Sequence, residues 1–94
     1  MNTVEKLKEI FIQQRGLGTP LVTIYWGGTT LDDDENEVED GGSIGYAYLA
    51  DKSDAEIEEQ AQHFAKLLKS HHAEKVSVVF SHNPEIREVS FTLN

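Results

Sequence analysis

Residues 29 to 43, Thr-Thr-Leu-Asp-Asp-Asp-Glu-Asn-Glu-Val-Glu-Asp-Gly-Gly-Ser, hold seven carboxylates and no base. The acids are Asp32, Asp33, Asp34, Glu35, Glu37, Glu39 and Asp40. Such a run has little apolar surface to bury and repels itself, so it stays out of any core. Whatever the chain folds into must be assembled from the pieces on either side. With 94 residues, of which 38% are hydrophobic, those pieces suffice for one core, and residues 1 to 94 predict a single small domain.

Before the run, Val4, Leu7, Ile10, Phe11 and Gln14 recur at helical spacing, with charged residues filling the other face. Asn2 or Thr3 can cap this helix, and Gly16 with Leu17 and Pro20 is expected to end it. Leu21 to Trp26 is rich in β-branched and aromatic residues and predicts a strand. After the run, Ile44 to Ala50 alternates again, which allows a hairpin with the first strand. The connection, residues 27 to 43, is then a long, flexible acidic loop bracketed by Gly27-Gly28 and Gly41-Gly42.

Ser53-Asp54-Ala55-Glu56 reads as a capping box, and Ile57, Ala61, Phe64, Ala65 and Leu68 form the stripe of a second helix ending near Ser70. Lys75 to Ser81 and Ile86 to Leu93 read as a terminal hairpin with its turn at His82 to Glu85. The fold class is therefore α+β, in the order α-β-β-α-β-β, with a four-stranded, mainly antiparallel sheet and two helices on one face. Moving the last strand to the front gives the order of a ferredoxin-like sheet, so a circularly permuted version with strands 3-4-2-1 is one expectation. A plain meander is the other.

Charge is placed unevenly. Residues 16 to 65 carry twelve acids against Lys52 alone, while each flanking segment is about +1, so the net charge of −9 lies in the middle. This disfavours direct contact with nucleic acid or an anionic membrane. There is no cysteine, and neither a signal-peptide pattern nor an apolar stretch of membrane-spanning length, which predicts a cytoplasmic protein.

No catalytic constellation emerges, and no cofactor is implied. Asp32-x-Asp34-x-Asn36 matches the opening of an EF-hand loop, but Glu37 stands where a Gly is needed and Ser43 where a bidentate Glu belongs. Weak divalent-cation binding is a third choice. Gly41-Gly42-Ser43-Ile44-Gly45 lacks the following helix of a phosphate loop. His71 and His72 diverge by about 100 degrees on a helix end and do not form a chelating pair. Trp26 and Tyr46 are expected to be partly core, yet Trp26 also stands where the strand meets the acidic segment.

These features predict a binding protein, not an enzyme. Asp32, Asp33, Asp34, Glu35, Glu37, Glu39 and Asp40 would stand in for phosphates, and Tyr25 and Trp26 would anchor a basic protein partner such as a nuclease or another nucleic-acid-binding protein. In size and charge the chain resembles bacterial toxin-immunity proteins and phage-encoded inhibitors that imitate DNA, a likeness of type carried by no motif. The alternative is an adaptor or oligomerisation domain, for example a homodimer through an open sheet face, whose acidic loop only solubilises.

Overall fold

A computed structural model describes residues 2–82 and 85–93, with residues 81, 82, 85 and 86 described by their backbone. The elements are α1 (Thr3–Gly16), β1 (Leu21–Leu31), β2 (Glu37–Tyr48), α2 (Asp54–Ser70), β3 (Lys75–His82) and β4 (Glu85–Thr92). Asn83 and Pro84, at the centre of the expected final turn, lie outside the described residues.

Each helix is fixed at its start by a side chain that satisfies a free amide. Asn2 Oδ1 accepts from the Glu5 N–H at 2.9 Å. At α2 the box closes in both directions, with Ser53 Oγ accepting from the Glu56 N–H at 3.2 Å and Glu56 Oε1 accepting from the Ser53 N–H at 3.1 Å. Both helices end in the same motif. The Thr19 amide donates to the Gln14 carbonyl and the Gly18 amide to Arg15, with Gly18 at φ 84°. The Ala73 amide donates to Leu68 and the His72 amide to Lys69, with His72 at φ 53°. These are Schellman closures. The first corrects the expectation for Gly16, because α1 continues through that residue and the left-handed position falls two residues later, leaving Leu17 exposed.

The class is as expected: two helices with a four-stranded antiparallel sheet. The strand order is β2-β1-β3-β4 and not 3-4-2-1. The reason lies in which strands offer a face worth covering completely. Val22 and Ile24 of β1 and Val76 and Val78 of β3 are fully buried, so these strands take the centre. β4 offers Val89 and Phe91, which are half-buried, and β2 offers Gly45 and Ala47 before turning acidic. Those are edge strands by composition.

The inward side chains of the sheet join Leu7, Ile10 and Phe11 of α1 and Ile57, Ala61, Phe64 and Leu68 of α2 in one buried cluster. Phe11 and Phe64 meet edge to face at 6.5 Å, locking the two helices over the same side of the sheet. Among the described residues the polar Gln14 and Thr19 are buried with them, and Thr19 Oγ1 donates to Gln14 Oε1 at 2.9 Å. No described helix is long and apolar enough to cross a membrane.

Candidate functional site

β1 pairs with β3 only from Thr23 to Gly27, whereas it pairs with β2 from Leu21 to Leu31. Beyond Gly27 the two strands run on alone, with Gly28, Thr29, Thr30 and Leu31 opposite Asp40, Glu39, Val38 and Glu37. The expected loop over residues 27 to 43 is thus corrected to a two-stranded arm whose turn spans only residues 32 to 36. Charge does not prevent pairing here, because both faces are wet: every residue from Thr29 to Ser43 is exposed. The arm contributes to a molecule 48 Å long but only 30 and 19 Å across.

The turn is built by one of the acids themselves. Asp32 Oδ1 accepts from the Asp34 and Asn36 amides, both at 2.9 Å, while the Asp32 carbonyl accepts from the Glu35 amide at 3.0 Å. Glu35 adopts φ 62°, the left-handed residue that closes a three-residue hairpin loop. Asp32 is therefore a turn former as well as a charge. The position that an EF-hand would use for its first ligand is occupied by backbone donors, and no three His, Cys, Asp or Glu side chains converge among the described residues.

Register decides which carboxylates share a face. Glu37 and Glu39 lie opposite Leu31 and Thr29, on the side of the sheet away from the helices, and Asp40 lies on the helix side. Tyr25 belongs to the same face as Glu37 and Glu39, and Trp26 does not. Trp26 is half-buried on the helix side, stacked on His71 with ring centroids 5.0 Å apart and 29° between planes. The expected pair of anchors is split across the sheet.

The open face carries residues outside the expected partner-binding set. Tyr46, expected to be partly core, is 58% exposed and stands opposite Thr23, between Leu21 and Tyr25, and Tyr48, 57% exposed, stands opposite Leu21. The inward side of that strand is taken by Ala47, with Leu49 buried just beyond its end. Alternation in Ile44 to Ala50 gave two possible faces, and the signal that chooses between them is size: α2 packs close enough over β2 that Phe64 lies against Gly45.

The ion pairs among the described residues are Lys8–Glu58 at 3.6 Å, Arg15–Asp54 at 2.6 Å and Lys52–Glu56 at 3.9 Å. All three engage acids of α2. None reaches the seven carboxylates of the arm. Lys75, whose side chain crosses Gly27 at the arm's base, is not ion-paired with any of them among the described residues. Asp40 Oδ1 accepts from the neighbouring Gly41 amide at 2.8 Å, and at the arm's base Thr29 Oγ1 donates to Glu74 Oε1 at 2.6 Å. The arm can attract and orient a cationic surface, and it presents no nucleophile or base held by a second group.

No protein-family model, curated protein or solved structure gives a significant match to this chain.

Proposed function

We propose that the protein is a small acidic inhibitor acting in the cytoplasm. It inserts its arm into the basic cleft of a nuclease or another nucleic-acid-binding protein, in the manner of an immunity protein or a DNA mimic that neutralises a toxin. The observation that carries this reading is the placement of seven carboxylates on an exposed two-stranded projection, with no ion pair to the chain's own bases among the described residues. Charge gathered in this way repels itself, and fields fall off over about 8 Å at physiological salt, so it acts strongly only on a surface that comes close. Complementary charge of this kind raises association rates from about 10⁵–10⁶ to as much as about 10⁸–10⁹ M⁻¹s⁻¹ at low salt. In this reading the protein is not an enzyme and needs no cofactor.

The test begins with capture of partners at low salt and elution in a salt gradient, followed by association kinetics with the recovered protein. Asp33→Asn, Glu37→Gln and Glu39→Gln are combined, and Asp32 is spared because it holds the turn. The triple variant should associate at least tenfold more slowly and with a flatter salt dependence. An unchanged on-rate would remove the arm from recognition.

A second reading is favoured by the exposed Leu21, Tyr25, Tyr46 and Tyr48 on the open face, a surface suited to an adaptor or a homodimer. Under it, deletion of residues 31 to 40 leaves association intact, and light scattering gives twice the mass of the chain.

A further inference from the structure

We infer that the groove along the outer edge of β2 takes an arginine side chain of the basic partner. This rests on the inhibitor reading above and names the contact that would anchor it. The groove, about 410 Å³, is walled by Tyr46 and Tyr48 on one side and by Glu56, Glu59, Gln60 and His63 of α2 on the other, with Lys52 beside them.

Three features select the occupant. Tyr46 and Tyr48 point to the same face two residues apart, so their Cα atoms stand about 7 Å apart along the strand. Both side chains line the groove, and a planar group about 3.5 Å thick fits within that spacing. Across from them, Glu56 is engaged by Ser53 and Lys52, whereas Glu59 has no ion pair among the described residues and leaves its charge uncompensated at the groove wall. Finally, the Gln60 amide closes the strand edge at this point. Its Nε2 donates to the Tyr48 carbonyl at 2.7 Å, and its Oε1 accepts from the Tyr48 amide at 2.9 Å. An incoming β-strand finds these backbone groups already taken, so the groove receives a side chain.

A planar cation with an apolar stem suits a groove lined by two tyrosines and a carboxylate. Guanidinium stacks on aromatic rings and pairs with a carboxylate in a fixed fork, and it is less strongly hydrated than ammonium. Glu39 lies seven residues from Tyr46, about 20 Å along the strand, so the same partner can meet the arm and the groove at separate points.

The experiment is a nuclear magnetic resonance titration of the full chain with acetylated tetra-arginine and, separately, acetylated tetra-lysine. The arginine peptide should shift the Tyr46, Tyr48 and Gln60 side-chain signals and bind at least fivefold more tightly than the lysine peptide. Tyr46→Ala with Tyr48→Ala should abolish that preference, and Tyr46→Phe with Tyr48→Phe should keep it. Equal affinity for the two peptides, a preference that survives the alanine variant, or no shift at the groove would overturn the proposal. If the groove fails in this way while Glu37→Gln with Glu39→Gln still weakens both peptides, the arm's role stands alone. A preference for arginine that persists when neutralising the arm changes nothing supports the groove and removes the arm.

Discussion

Gly45 carries the geometry that places the arm. β2 has one extra residue opposite the Ile24/Tyr25 step, since Ile24 faces Gly45 and Tyr25 faces Ser43, leaving Ile44 between them. Gly45 sits at φ 136°, a conformation that side chains rarely adopt. In Gly45→Ala, the backbone would cost about 1–3 kcal/mol. The new Cβ would also stand 3.3 Å from Phe64 Cε1, and Phe64 is 4% exposed and wedged against Phe11, so relief requires repacking at about 1 kcal/mol. Restricting the unfolded chain returns about 0.4–1 kcal/mol. The net loss is about 1–3.5 kcal/mol, which for a chain of this length lowers Tm by about 5–25 °C. Gly42→Ala is the control: its Cβ meets nothing within 4 Å and its φ is not positive, so the effect should stay within about 0.5 kcal/mol. Urea denaturation followed by circular dichroism measures both. If Gly45→Ala were as stable as the parent, the bulge would be absent. The register beyond it would then slip by one residue, carrying Glu37 and Glu39 to the helix side and away from Tyr25.

Three further outcomes follow from the helix ends. Ser53→Ala removes the hydroxyl that accepts the Glu56 amide and should cost about 1 kcal/mol, read as a Tm lower by about 4–8 °C. Glu56 has its pKa lowered, first by the backbone hydrogen bond at Ser53 and then by the Ser53 side chain. A group depressed in the folded state contributes stability that is present above its unfolded pKa, near 4.3, and is lost as pH falls through the folded value. Acid melts of Glu56→Gln should therefore show a shallower fall in Tm below about pH 4.3 than the parent. His72→Gly places a glycine at the left-handed closure of α2 and should stabilise the protein by about 0.5–1 kcal/mol, seen as a higher urea midpoint with an unchanged slope.

The helices were legible because their signals are local. Ser53 and Glu56 cap each other at a fixed spacing, and Leu7, Ile10 and Phe11 mark one stripe without reference to the rest of the chain. The strands from Val22 to Trp26 and from Val76 to Phe80 announce themselves through buried β-branched residues. Their order in the sheet is a tertiary fact. It depends on Ile24 facing Val78, a pairing that no alternation within either strand encodes. The arm was missed for a related reason: period-two reading finds a strand by its dry face, and the segment from Gly28 to Asp40 outside the turn is paired with both faces in water beyond Thr29. Within the candidate site, the acids were visible as composition and the opposite faces of Tyr25 and Trp26 as alternation, while the exposure of Tyr46 required the close approach of α2 to Gly45 to be known, and the face taken by Glu37 and Glu39 required the bulge.

The Asp32–Asn36 turn is closed by bonds made entirely within those five residues, and the strand segments next to it, Thr29 to Leu31 and Glu37 to Ser43, bury nothing in the cluster that holds the helices. Apart from Asp32, which makes the closing side-chain bonds, its sequence can therefore drift or exchange charge without asking permission of the scaffold. A lineage pressed by a changing adversary would find in this hairpin a place to vary quickly, and an engineer would find a cassette that could be transplanted onto another antiparallel pair.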